Sequence, residues 1–200
     1  CAPEIGRKLV SIAAGDLNGD GHQDLVLVTA NNYAWLLLGD GHGRFNETRR
    51  LTKVRTGTPV SVADFTGDGV ADVLTIPSSS TLHGFSLLVT DGTGIFTPLA
   101  LASTLKLTGP LLAGDFEGDG LTDIVAASKA ASGGAVILYN DGTGPNGNPT
   151  AIDAGHGISG FAAADFNEDG LLDIVAASRL ASEPLMLFPG VGGGQYGAVL

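Results

Sequence analysis

The stretch DFTGDGVADVL, residues 64 to 74, places three aspartates four residues apart, with two glycines between them and an apolar run directly after them. Three more stretches share this pattern: DLNGDGHQDLV from Asp16, DFEGDGLTDIV from Asp115 and DFNEDGLLDIV from Asp165. The first aspartates of the four stretches are 48, 51 and 50 residues apart. Fixed periods of this length are typical of repeat architectures. The fold therefore has to be inferred for each repeat.

The acidic residues are concentrated in these stretches. The chain has 200 residues and a formal net charge of −11, which disfavours binding to nucleic acid and to anionic membranes. Of the 21 acidic residues, 14 lie in the four loops: Asp16, Asp20, Asp24, Asp64, Asp68, Asp72, Asp115, Glu117, Asp119, Asp123, Asp165, Glu168, Asp169 and Asp173. The acidity therefore marks four local sites.

Each loop reads D-x-[N/T/E]-x-D-G-x-x-D, so side-chain oxygens occupy positions one, three, five and nine. Hard cations such as Ca²⁺ take about six to eight oxygen ligands from carboxylates, amides and backbone carbonyls. Glycine at position six lets the loop curl around an ion, and position seven would offer its carbonyl. Without a cation the carboxylates would repel one another and raise some of their own pKa values. The pattern predicts a Ca²⁺ site in each loop in preference to an ordinary polar turn.

Short apolar runs flank each loop, as in SIAAG before the first loop and DLVLVTA from its last aspartate, and they are better strands than helices. A third run ends in Asp-Gly in three repeats, which is a hairpin signal, and in Pro189-Gly190 in the fourth. A fourth strand is expected from Phe45, Phe96 and Tyr196. Four antiparallel strands in about 50 residues are typical of a β-propeller blade.

The sequence thus predicts an all-β propeller of four four-stranded blades, in a single domain or segment over residues 1–200. Its calcium loops are predicted at 16–24, 64–72, 115–123 and 165–173. The apolar residues at loop position two are predicted to face inward and to pack between blades: Leu17, Phe65, Phe116 and Phe166.

By these loops and by GDGHGRF, residues 39 to 45, the whole chain resembles the FG-GAP/VCBS repeat family, which includes the calcium-binding propellers of integrin α subunits and of certain lectins. The resemblance implies Ca²⁺ as cofactor, bound by side-chain oxygens of Asp16, Asn18, Asp20, Asp24, Asp64, Thr66, Asp68, Asp72, Asp115, Glu117, Asp119, Asp123, Asp165, Asn167, Asp169 and Asp173. The position-seven carbonyls belong to His22, Val70, Leu121 and Leu171. Thr66 is a weaker ligand than the Asp or Asn usual in this family.

Two other classes of site do not fit the sequence. An EF-hand needs a bidentate Glu twelve residues from the loop start, where this chain has Leu27, Thr75, Ala126 and Ala176. GHGISG, residues 155 to 160, matches a dinucleotide-binding pattern but leads into a strand, so it is interpreted as a turn. No catalytic motif is apparent, and His22, His42, His83 and His156 are interpreted as surface residues. The chain is therefore predicted not to be an enzyme.

The family resemblance implies extracellular or cell-surface recognition, of carbohydrate first and of a protein ligand second. Tyr33, Trp35 and Tyr139 are candidate stacking platforms for sugars, although aromatic residues in strands are more often part of the core. The alternatives are a non-catalytic propeller segment of a larger secreted enzyme, such as a polysaccharide lyase, and a structural or engineered repeat array without ligand. No apolar run reaches the roughly 20 residues that span a bilayer.

The repeat period also bears on assembly. The 35 residues after Asp165 and the 16 that end at Asp16 together make one more repeat. The chain is therefore expected to be part of a larger propeller, or to join a second copy head to tail, so that an eight-bladed homodimer has no unpaired strand edges.

Overall fold

The computed structural model describes residues 8–54, 60–76, 85–100, 107–128, 134–145, 149–155, 157–179 and 184–198. Within these ranges the regular structure consists of β-strands. None of the described segments is a helix long and apolar enough to cross a membrane. The strands are β1 Leu9–Gly15, β2 Asp24–Thr29, β3 Tyr33–Gly39, β4 Phe45–Lys53, β5 Ser61–Ala63, β6 Asp72–Thr75, β7 Ser86–Thr90, β8 Phe96–Ala100, β9 Leu107–Gly114, β10 Asp123–Ser128, β11 Gly134–Leu138, β12 Thr150–Asp153, β13 Ile158–Ala164, β14 Asp173–Ser178, β15 Leu185–Phe188, β16 Gly190–Gly192 and β17 Gln195–Tyr196.

These strands form one antiparallel sheet for each repeat, and each sheet is called a blade. Blade one has the order β1-β2-β3-β4, blade two β5-β6-β7-β8 and blade three β12-β11-β10-β9. Blade four has β13-β14-β15, followed by the separate two-stranded sheet β16-β17. The predicted all-β propeller with four repeats is confirmed. The fourth repeat differs in its outer part, where Pro189, which has no N–H to donate, lies between β15 and β16.

The second and third strands of each blade supply most of the buried surface. All six residues of β10 and all five of β11 are buried, in agreement with their apolar and small side chains. The third and fourth strands of blades one and two are joined by the turns predicted from Asp-Gly. Asp40 N donates to Arg44 O at 3.1 Å, and Asp91 N donates to Ile95 O at 3.3 Å. Phe45 and Phe96 begin β4 and β8 as predicted.

The chain divides into two compact units, residues 1–104 and 105–200, and each contains two repeats. The core of the first unit brings together side chains of blades one and two: Leu17, Val26, Val28, Ala34, Leu36, Val54, Val60, Val73 and Leu88. The core of the second unit does the same for blades three and four: Phe116, Val125, Ala135, Ile137, Ile152, Ala154, Ile174, Ala176, Met186 and Phe188. The single domain over residues 1–200 remains a prediction.

The position-two residues agree with the prediction in three repeats of four. Leu17 and Phe65 are completely buried, and Phe116 is almost completely buried. Leu17 and Phe116 pack against the next blade of their own unit, as predicted. Phe166 is 52% exposed, so the prediction that it faces inward is wrong. The described residues contain no repeat after blade four that would cover it.

Candidate functional site

Each predicted loop joins the first and second strands of its blade, as the sequence predicted. Loop one runs from Asp16, directly after β1, to Asp24, the first residue of β2. Loops two, three and four have the same place after β5, β9 and β13. The four loops therefore occupy equivalent positions in the fold, and each can be compared with the others residue by residue.

The aspartate at position one organises the turn of its own loop. In loop one, Gly19 N donates to Asp16 Oδ1 at 2.7 Å, and Gly21 N donates to Oδ2 at 2.8 Å. The equivalent bonds to Asp64 measure 2.6 and 2.8 Å, and those to Asp115 measure 2.7 and 2.9 Å. In loop four, Asp165 accepts from Gly170 N at 2.8 Å. The negative charge thus faces the backbone N–H groups of positions four and six.

The aspartate at position five is exposed and bonds within the loop tip. Asp20 Oδ1 accepts from His22 N at 2.8 Å, and Oδ2 accepts from the side-chain amide of Asn18 at 2.9 Å. These bonds, with that of Asn18 the strongest, lower the pKa of Asp20. The bond from position seven recurs in the other loops, where Asp68, Asp119 and Asp169 accept at 2.8 to 2.9 Å.

The aspartate at position nine is completely buried in all four loops: Asp24, Asp72, Asp123 and Asp173. Asp24 Oδ2 accepts from Leu17 N at 2.9 Å, and Oδ1 accepts from Gly39 N, at the end of β3, at 2.8 Å. The same two bonds recur in the other loops at 2.7 to 3.2 Å. This side chain therefore ties the loop to the end of the third strand, a structural role that the sequence reasoning missed. Its place at the start of an apolar strand was the available signal.

Position four was also missed by the sequence reasoning. It adopts a positive φ in every loop, at 72° in Gly19, 74° in Gly67, 82° in Gly118 and 62° in Glu168. Glycine adopts this conformation freely, whereas a side chain is strained there. The glycine in three of four copies was the signal for this constraint. Loop four carries a strained residue at the same place.

Comparison with known proteins identifies the family. Residues 6–75 and 115–176 match the FG-GAP-like repeat family, and together they cover more than half of the chain. The chain belongs to the FG-GAP-like repeat family. No curated protein gives a significant match. A crystal structure of BBS1N in complex with ARL6DN, soaked with lead, is similar in fold, with a TM-score of 0.56 and 13% sequence identity. The match covers 97% of this chain and 57% of that one, so the chain spans little more than half of the BBS1N structure's length.

Charge repulsion is measurable within the FG-GAP-like loops. Burial raises the pKa of Asp123 to about 6 despite its two backbone hydrogen bonds, and the charges of Glu117 and Asp119 raise it further. The pKa of Glu117 itself is raised by burial, then by Asp119 and Asp115. Burial likewise raises the pKa of Asp24, with smaller effects from Asp20 and Asp16. A bound cation would relieve this repulsion.

The donors of the FG-GAP-like loops fit a hard cation in their chemistry, but their carboxylates do not form a preassembled cluster. In the part of the chain that the structure describes, no group of three or more His, Cys, Asp or Glu side chains is arranged so that it could hold a metal ion. The carboxylates at positions one and five face backbone N–H groups instead. Thr66 donates its hydroxyl to Asp72 at 3.3 Å. The calcium ligands therefore remain a prediction that rests on the donor types.

The candidate stacking aromatics differ in their availability. Tyr139 packs against the core of the second unit, and its hydroxyl donates to Gly194 O, so it is not an open platform. Burial raises its pKa to about 12. The guanidinium of Arg50 lies over the Tyr33 ring, 4.8 Å from its centre. The buried indole nitrogen of Trp35 has no hydrogen-bond partner in the structure.

Two cavities of about 400 Å³ each lie in different units. One, beside loop one, is lined by residues of the loop and of the β3–β4 turn, including His22, Gln23, Asp40, Arg44 and Phe45. The other lies between β12 and the β16–β17 sheet. His22 and His42 are exposed, as expected for surface residues, whereas His83 and His156 lie outside the described residues. β13 follows Gly157, which confirms that GHGISG leads into a strand.

Proposed function

We propose that this FG-GAP-like chain is a calcium-stabilised, non-catalytic recognition module that binds carbohydrate outside the cell. Calcium would be held by loop positions one, three and five, with the position-seven carbonyl and the position-nine carboxylate. The ion would supply charge neutralisation in loops whose carboxylates repel one another. An adhesive role with an extracellular protein ligand belongs to the same proposal.

One observation carries the proposal, namely the double position of His22. This residue is position seven of loop one, where its carbonyl is a predicted calcium ligand, and its ring lines the cavity beside that loop. The ring lies against Gly41 of the β3–β4 turn, where a Cβ atom would approach the ring nitrogen Nδ1 to 2.7 Å. Calcium in loop one would therefore fix one wall of the cavity.

The chemistry of this cavity suits a sugar. Gln23, Asp40 and Arg44 offer hydrogen-bond donors and acceptors for hydroxyl groups, and Phe45 adds an aromatic ring. Asp40 Oδ1 already accepts from His42 N and Arg44 N, at 2.9 and 3.1 Å, so its orientation is fixed before a ligand binds. A few fixed polar groups beside an apolar surface are typical of small-ligand sites.

A glycan array tests this proposal, with calcium and with EDTA. We expect binding to a defined set of glycans in calcium, loss of that binding in EDTA, and loss on Arg44→Ala in calcium. Arg179→Ala is the matched control, because Arg179 is exposed and lies in the other unit. Absence of glycan binding, or binding that is unaffected by EDTA and Arg44→Ala, would contradict the carbohydrate function.

A second candidate is a non-catalytic propeller segment of a larger secreted enzyme. It is favoured by one observation, that the chain spans 57% of the similar BBS1N structure. A structural or engineered repeat array without ligand is the third candidate. Both alternatives predict no glycan binding by this chain, and the array distinguishes them from the first.

A further inference from the structure

The two units contain the same kind of contact between successive blades. In each, the position-two side chain of one blade packs against the second and third strands of the next. Leu17 lies in one cluster with Val73 and Leu88. Phe116 lies in one cluster with Ile174 and Phe188. These partners are equivalent, because Val73 pairs with Leu88 across β6 and β7, and Ile174 pairs with Phe188 across β14 and β15.

Hydrogen bonds accompany both contacts. The Thr90 hydroxyl donates to Leu17 O at 3.1 Å, and the Tyr196 hydroxyl donates to Phe116 O at 3.1 Å. In each case a side chain of the later blade bonds to the position-two carbonyl of the earlier blade. We call the side of a blade that carries the position-two residue its forward face, and the side that receives this residue its rear face.

The forward face of blade four is exposed where the equivalent residues of the other blades are buried. Phe166 is 52% exposed, whereas Leu17, Phe65 and Phe116 are at most 5% exposed. Leu185 is 64% exposed, whereas its equivalents Ala34, Phe85 and Ala135 are at most 3% exposed. Val175 and Leu187 on the same face are half-buried, although the residues equivalent to them in blades one to three are completely buried.

The rear face of blade one is exposed in the same sense. Ile12 is 61% exposed, whereas Val60, at the equivalent position two residues before Val62, is 8% exposed. Ala14 is exposed and Leu25 half-buried, whereas Val73, the equivalent of Leu25, is completely buried. Leu25 pairs with Leu37 across β2 and β3, as Val73 pairs with Leu88. Blade one therefore has the strand pair that receives a position-two side chain.

We propose that the forward face of blade four docks onto the rear face of blade one of a second copy of this chain, with Phe166 over Leu25 and Leu37. The occupant is a second copy because this chain itself carries the complementary face, built at the same positions as the two contacts inside its units. None of Phe166, Val175, Leu185 and Leu187 is charged, so the face has no charge to desolvate. A forward face meets a rear face in both internal contacts, so the docking is head to tail, and two such contacts close a dimer.

Size-exclusion chromatography with light scattering tests this docking, in calcium, with three variants. The wild-type chain is expected at twice the single-chain mass of 20.1 kDa. Leu185→Asp removes the forward face and Ile12→Asp the rear face, and each variant alone is expected at the single-chain mass. Ile95→Asp is the matched control, because Ile95 is 61% exposed in the β7–β8 turn, on neither face, and it should leave the dimer intact. Circular dichroism melting confirms that each variant is folded.

A mixture of the two face variants supplies the decisive result. Leu185→Asp retains a rear face and Ile12→Asp a forward face, so an equimolar mixture is expected to form a pair through one intact contact. A monomeric wild-type chain would overturn the proposal and leave another repeat or another protein as the occupant. A dimer that persists in either variant, or a mixture that stays monomeric, would also overturn it.

Discussion

Positions five and nine of each loop carry the same side chain four residues apart, yet their environments are opposite. In loop two, Asp68 is exposed and accepts one bond, from Val70 N at 2.8 Å. Asp72 is completely buried and accepts from Phe65 N at 3.2 Å and Thr90 N at 3.0 Å. The comparison shows that burial separates two uses of aspartate, one available to an ion and one that replaces a backbone acceptor where no strand partner is present.

The largest expected effect breaks this comparison at position nine. Asp72→Ala leaves the buried N–H groups of Phe65 and Thr90 without acceptors, at about 1–3 kcal/mol each. Asp68→Ala exposes only Val70 N to water and should change stability by less than about 0.5 kcal/mol in the absence of calcium. Urea unfolding of both variants in EDTA measures the difference. Similar midpoints for the two variants would refute the distinction.

Removal of calcium sharpens the comparison at the loop tips. An ion that binds only the folded chain stabilises it by about 2.7 kcal/mol per site at a concentration 100 times its Kd. We expect EDTA to lower the melting temperature, and elemental analysis to find up to four calcium ions per chain. The same melting temperature with and without EDTA, together with no bound calcium, would contradict the cofactor proposal.

A smaller effect compares two proposed ligands in different loops. Asp119→Ala removes an ionised carboxylate, whereas Thr66→Ala removes a hydroxyl that already donates to Asp72 at 3.3 Å. We expect roughly tenfold weaker calcium binding from Asp119→Ala, equivalent to about 1.4 kcal/mol, and a smaller change from Thr66→Ala. Calorimetric titration of both variants measures it. Equal losses would mean that the ligand assignment is wrong.

The smallest effect concerns position four, which supports the turn beneath both aspartates. Glu168 has a φ of 62°, where its three equivalents are glycines. Glu168→Gly is expected to relieve this strain and to stabilise the chain by about 0.5–1 kcal/mol. The reverse change in loop three, Gly118→Glu, should destabilise it by a similar amount. Thermal melting in EDTA reads both, and a destabilised Glu168→Gly variant would show that the glutamate makes a compensating contact.

The sequence was sufficient for features that depend on local spacing. The four loops, the strands around them and the starts of β4 and β8 all follow from patterns within one repeat. The burial of Asp72 and the exposure of Phe166 do not, because both depend on which other strands lie against them. DFNEDG and DFTGDG place phenylalanine at the same position, but only the fold shows which one is covered. The separate β16–β17 sheet follows Pro189, whose presence the sequence showed without its consequence.

The ties made by position nine have a consequence for how such a chain grows and folds. Each of these aspartates bonds to residues 7 positions earlier and 15 to 18 positions later, so both partners lie in its own repeat. A duplicated or deleted repeat therefore carries its whole hydrogen-bond set with it, and only the apolar faces must find a new neighbour. The same locality keeps the loop closures short, so each repeat can begin to fold as it leaves the ribosome, before the next repeat has been synthesised.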